Sequence, residues 1–185
     1  MMDRKDFFKN ICKCGACGCA GIILLSPGNL FADDDNSEEK KEDWRIGFMQ
    51  NRIAKLIEGM GSNLDKEDLI SLLENMGSHC ARENSEYYTK FKGDVNGYLK
   101  SLEEWVEKVE HDEENGIIKI TGKKNNSCYC PFVDISKMPE EFCNCTRGWN
   151  KEIYENIIGK PVDVKIDTTV LWGGENCSFT ITYKS

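Results

Sequence analysis

Apolar residues recur at helical spacing through the first half of the chain. Over residues 44–60, Met49, Ile53, Leu56 and Met60 form one stripe on an otherwise polar segment, which predicts a first helix. Asp65 stands where an N-cap belongs. Leu69, Leu72, Leu73 and Met76 give the second helix its inward face, and Gly77 is expected to end it. A shorter third helix is expected over 84–91. Asp94 can cap a fourth, in which Tyr98, Leu99, Leu102, Trp105, Val106 and Val109 make a wide apolar face that stops at the acids of 110–114.

The pattern changes after Asn115-Gly116, a strong turn dipeptide. Residues 117–121 alternate apolar and polar as a half-buried strand does, and 128–135 reads as extended. A helix over 149–158, with Ile153, Ile157 and Ile158 apolar, is stopped by Gly159 and Pro161. The β-branched and aromatic runs 162–172 and 177–183 flank Gly173-Gly174-Glu175-Asn176, which predicts an antiparallel hairpin. Helices first and strands afterwards indicate an α+β fold: N-terminal helices packed on a small antiparallel sheet, with a C-terminal β-hairpin.

The N-terminus follows another logic. Arg4-Lys5 precedes Phe7-Phe8-Lys9, then an apolar run rich in Gly, Ala and Cys ends at Ser26-Pro27-Gly28. This basic, apolar, small-residue order predicts an export signal over 1–32, similar to the twin-arginine type with lysine in place of the second arginine. Cleavage is expected near Ala32. The apolar core of 14–25 is shorter than the ~20 residues a spanning helix needs, so the membrane is a partner only through an uncleaved leader. Residues 33–43 hold seven acids and two lysines and read as an acidic linker with nothing to bury. One cysteine-rich domain over 44–185 remains, in the periplasm or outside the cell.

Composition narrows the partners. A length of 185 residues suits one domain, and a mean hydropathy of -0.53 argues against several membrane spans. With a net charge of -8 and no basic run interleaved with aromatics, no nucleic-acid partner is expected. The oligomeric state is not encoded in any pattern we recognise.

Ten cysteines are the outlying number. Cys12, Cys14, Cys17 and Cys19 read as small, weakly apolar residues of the export core. Cys128-Tyr-Cys130 and Cys143-Asn-Cys145 are two Cys-x-Cys pairs, and in extended backbone residues i and i+2 share a face. Four thiolates from Cys128, Cys130, Cys143 and Cys145 could then converge on zinc or an iron-sulfur centre. Cross-bridges such as Cys128 to Cys143, or free and reactive thiols, compete with that reading. Cys177 and Cys80 are the candidate nucleophiles. A nucleophilic cysteine needs a base beside it, and the chain offers only His79, whose side chain should point away from its neighbour Cys80, and His111, set among acids. No phosphate-cradling loop is present, and Glu140-Glu141 reads as solvated surface.

The segments Cys128-Tyr-Cys-Pro-Phe, Phe142-Cys-Asn-Cys-Thr-Arg-Gly-Trp149, Gly159-Lys-Pro-Val-Asp-Val164 and Gly174-Glu-Asn-Cys-Ser-Phe-Thr-Ile181 resemble the vinyl-reductase-like small-molecule-binding domains and the related L-2-amino-thiazoline-4-carboxylic acid hydrolase-like proteins. The resemblance covers the last third of the chain. It implies helices packed on an antiparallel sheet around a ligand cavity, with Cys128, Cys130, Cys143, Cys145 and Cys177 as the residues to watch. An exported module that binds a small-molecule ligand or a metal is the first reading. A small hydrolase using a cysteine or a zinc-activated water is the alternative, and a disulfide-stabilised interaction protein the third.

Overall fold

A computed structural model of the chain describes residues 44–184. The segments expected to be an export leader, with its cysteines, and an acidic linker lie outside the described residues. Among the described residues, no helix is long and apolar enough to cross a membrane.

The helical half begins with α1 (Trp44–Gly61) and α2 (Lys66–Glu83). Asp65 caps α2 as expected, its carboxylate accepting from the Asp68 N–H at 2.9 Å. The α1 stripe is rotated from the expected one. Ala54 and Ile57 are buried, whereas Met49 and Leu56 face solvent, because α1 meets its neighbours along a narrower line than the periodicity suggests. The expected third helix is two 3-10 turns, Ser85–Tyr87 and Thr89–Phe91. Helix α3 (Val95–Ser101) is capped by Asp94, which accepts from the Gly97 N–H at 2.8 Å.

Helix α3 ends well before Val109, against expectation. The chain turns over residues 102–105 and enters strand β1 (Val106–Asp112), which pairs antiparallel with β2 (Ile117–Gly122) around Asn115-Gly116. The register shifts between Val106 and Lys108. That bulge breaks the two-residue alternation, and the three-residue gap from Val106 to Val109 mimics a helical period.

Residues 128–135 form turns and no strand, and the 3-10 turn Glu140–Phe142 leads directly into α4 (Cys143–Ile158). This helix starts six residues earlier than the apolar pattern shows. Gly159, at φ +74°, ends it as expected. Strand β3 (Val162–Thr168) pairs antiparallel with β4 (Ser178–Tyr183), and the 3-10 turn Val170–Trp172 occupies the connection. The sheet order is β1-β2-β4-β3, all antiparallel. The architecture is α+β, with helices over one sheet face.

Ile118, Ile120, Val164, Phe179 and Ile181 of the sheet bury against Tyr98 and Leu99 of α3 and Ile153, Tyr154 and Ile157 of α4. Lys119, Lys165 and Asp163 point the other way, the alternation proper to a sheet with one wet face. A second cluster joins Ala54, Ile57, Leu69 and Leu73 to Val133, Met138 and Phe142.

Helices α2 and α4 cross at backbone contact. Gly77 lies inside α2, not at its end, and a Cβ there would collide with the Cys145 carbonyl; one at Gly148 would collide with the Glu74 backbone. Ser78 Oγ donates to the Gly148 carbonyl at 3.1 Å and Arg82 pairs with Glu152 at 2.7 Å, so the two helices advance in the same sense. Arg147 and Glu74 form a further ion pair at the crossing.

Gly77→Ala and Gly148→Ala should each lower stability by about 2 kcal/mol or more through overpacking at the crossing. Gly59→Ala, in α1 with nothing near its missing Cβ, should instead stabilise by up to about 1 kcal/mol. Urea unfolding of the three variants tests both signs; equal effects at all three would refute the backbone contact.

Candidate functional site

A cavity of about 330 Å³ lies at the seam between the two core clusters. Tyr98 of α3, Ile120 of β2, Phe179 of β4 and Tyr154 of α4 wall it on one side, and Val133 and Phe142 on the other. Trp105 and Tyr129, both largely exposed, mark where it meets solvent, and Tyr129 Oη lies 3.5 Å from the Trp105 carbonyl. No Asp, Glu, Lys, Arg or His lines it. A charged guest would lose its hydration there with no opposite charge in return, so the cavity selects for neutral molecules.

Four of the six domain cysteines, Cys128, Cys130, Cys143 and Cys177, line this cavity. The geometry behind the expected four-sulfur set is different from that supposed. Cys143 and Cys145 lie in the first turn of α4, where positions i and i+2 are separated by about 200° around the axis, so their sulfurs diverge. The thiols are electrostatic neighbours of one another across the whole set: beyond burial, Cys128 is influenced by Cys177, Cys143 and Cys130, Cys145 by Cys130, Cys80 and Cys143, Cys143 by Cys177 and Cys130 by Cys80. Cys80 joins them because it follows Gly77 by three residues on α2, close to where Cys145 touches that helix.

All six are free thiols, Cys80 exposed and Cys143 buried. Among the described residues, no three His, Cys, Asp or Glu side chains are arranged to hold a metal ion.

Four of the thiols are poorly suited to nucleophilic work. Burial pushes Cys128 and Cys145 up to about 12 and Cys143 to about 11, and it raises Cys130 as well. The Thr169 hydroxyl, 3.2 Å from the Cys143 sulfur, can hydrogen-bond the thiolate and offsets only part of that rise. His111 is engaged elsewhere, with Nε2 at 2.8 Å from Tyr183 Oη and Nδ1 at 3.0 Å from Asn96 Oδ1, and neither it nor His79 lines the cavity. A base beside a cavity thiol is missing from the described residues.

Periodicity recorded Tyr98, Trp105 and Phe179 only as apolar face or strand residues, and Tyr154 not at all. A lining residue and a packed core residue carry the same pattern. The one available signal was a hydroxyl-bearing Tyr154 between Ile153 and Ile157 on the inward face of α4.

The fold and cavity define an α+β domain that encloses an uncharged pocket flanked by thiols. The chain belongs to DUF6144, a family of unknown function, whose model matches residues 30–185. No curated protein matches it by sequence. Among solved structures it is similar to a trafficking protein particle complex subunit 3 from Naegleria fowleri, solved covalently bound to palmitic acid, with TM-score 0.50 and 14% identity over 78% of this chain and 98% of that one. It is also similar to the phenol-responsive sensory domain of the transcription activator PoxR, solved with phenol, at TM-score 0.48 and 14% identity over 72% and 73% of the two chains. A vinyl-4-reductase family protein from Methanocaldococcus jannaschii matches at TM-score 0.37 and 15% identity over 78% and 83%. At such identity the likeness is one of fold.

The raised thiols set a pH dependence. A thiol whose folded value lies above its model value of 9.0 favours the neutral form in the fold, so its contribution is complete below about pH 9 and is lost as pH climbs toward 11 to 12. Urea midpoints should therefore stay flat between about pH 6 and 8 and fall above about pH 9. Exposed Cys80 should be the first thiol alkylated by iodoacetamide in the native protein, with Cys128, Cys143 and Cys145 slower by about tenfold or more. Equal rates for all six would contradict the burial.

Proposed function

We propose that the domain binds a small, uncharged, largely apolar molecule in the cavity between α3, α4 and the sheet. The observation that carries this reading is the cavity itself: about 330 Å³, walled by aromatic, aliphatic and thiol groups and free of charged side chains. Its size falls at the small end of ligand pockets, which run from roughly 300 to 1,000 Å³, and suits a molecule of one or two rings. The acidic surface, with a net charge of -8, also repels anions from the mouth. That structurally similar proteins were solved with phenol and palmitic acid agrees in kind with an apolar guest. With the export leader read over 1–32, the domain would meet this ligand outside the cytoplasm.

The hydrolase alternative, with Cys177 or Cys80 as nucleophile, is disfavoured by the absence of a histidine beside the cavity thiols. The thiol-metal reading has one observation in its favour, the mutual electrostatic influence of the six sulfurs, and would need some of them to draw closer before they could coordinate zinc or an iron-sulfur centre.

Trp105 and Trp149 both line the cavity and report its occupancy. Neutral phenol and indole should change tryptophan fluorescence saturably, while benzoate at pH 7 should bind at least about tenfold more weakly because its charge must be desolvated. Failure of every neutral probe at millimolar concentration would end the ligand-binding reading. Residues 33–185 purified without oxygen should show six titratable thiols and less than stoichiometric metal; about one ion per chain, lost in Cys→Ser variants of either Cys-x-Cys pair, would establish the metal site in its place.

A further inference from the structure

Tyr154 is 1% exposed, and its ring stacks edge-on against Tyr98 with centroids 5.6 Å apart. Both rings line the cavity. Of the buried polar side-chain atoms that lack a hydrogen-bond partner among the described residues, Tyr154 Oη is the one whose residue lines the cavity. An unmade hydrogen bond on a buried hydroxyl costs roughly 1–3 kcal/mol, a defect that folded proteins seldom carry without a use for it.

Two other polar groups on the wall are engaged in local structure. Thr169 Oγ1 accepts from the Trp172 N–H at 3.1 Å and lies 3.2 Å from the Cys143 sulfur. Asn150 Nδ2 donates to the Thr146 carbonyl at 3.0 Å. Burial keeps the Tyr154 phenol well above its ordinary pKa, so it is a neutral group able to donate one hydrogen bond and accept another.

We infer that Tyr154 Oη is the polar anchor of the ligand, and that the ligand is a neutral ring or short-chain compound with one hydroxyl, carbonyl or similar group at one end. This rests on the cavity being a binding site. A largely apolar wall with a buried, unpaired hydroxyl discriminates, because a guest without the polar group leaves that hydroxyl unpaired, whereas a charged guest finds no counter-ion.

The test uses the full chain and a matched pair of probes, p-cresol and p-xylene, titrated calorimetrically into wild type and Tyr154→Phe. Wild type should prefer p-cresol by roughly tenfold, the equivalent of one buried hydrogen bond. Tyr154→Phe should bind p-xylene as well as wild type does, with the preference reduced to near unity, and its urea midpoint should not fall, since the deleted hydroxyl makes no contact in the empty protein. Tyr87→Phe, which alters an exposed hydroxyl outside the cavity lining, should keep the preference. If Tyr154→Phe retains the p-cresol preference or loses stability, Tyr154 is not the anchor although the cavity still binds. If neither probe binds wild type, the cavity reading itself fails.

Discussion

The backbone contact between α2 and α4 is the constraint on which the rest of the domain depends. Two glycines, Gly77 and Gly148, let the helices approach until each Cα meets the other helix's main chain. Packing this close replaces side-chain interdigitation with direct backbone contact, and it leaves no freedom to slide. The crossing holds α4 against the sheet along Ile153, Tyr154 and Ile157, while its first turn reaches the second cluster through Phe142 and Cys145. One helix therefore serves two cores. The cavity is the space left where the two cores fail to merge.

That origin explains the chemistry of the wall. Residues at a seam between apolar clusters are apolar themselves, and the polar atoms caught there are paired by local turns, as Thr169 is in the turn that precedes Trp172. The thiols gather at the same seam. Cys128 and Cys130 come from the loop that covers it, Cys143 and Cys145 from the start of α4, and Cys177 from the entry to β4. Burial raises Cys128, Cys130 and Cys143, so these three act as lining more readily than as nucleophiles. Tyr154 stands apart as the buried hydroxyl that local structure does not satisfy.

Much of the fold was legible in sequence because local signals and tertiary demands agreed. Asp65 and Asp94 cap the helices they were expected to cap, Asn115-Gly116 turns the β1-β2 hairpin, Gly159 ends α4, and the last two strands pair. Where they disagreed, the sequence misled in a consistent way. Val106 and Val109 have helical spacing only because a bulge interrupts a strand, and Gly77 looks like a helix end only because the partner helix is invisible in one dimension. The Cys-x-Cys argument was sound for extended backbone and failed because Cys143 opens a helix.

By itself, then, the sequence determined the α+β class, the helix caps and turns, the acidic surface and the concentration of cysteines in the last third of the chain. These depend on periodicity, short-range hydrogen bonding and composition, all of which are properties of neighbours in the chain. Only the tertiary structure decided that six sulfurs from α2, α4, a loop and a strand end gather as neighbours, that a cavity opens between two cores, and that Tyr154 lines it with its hydroxyl unpaired. Those depend on how close two helices can come, and that distance is set by contacts between residues about seventy positions apart.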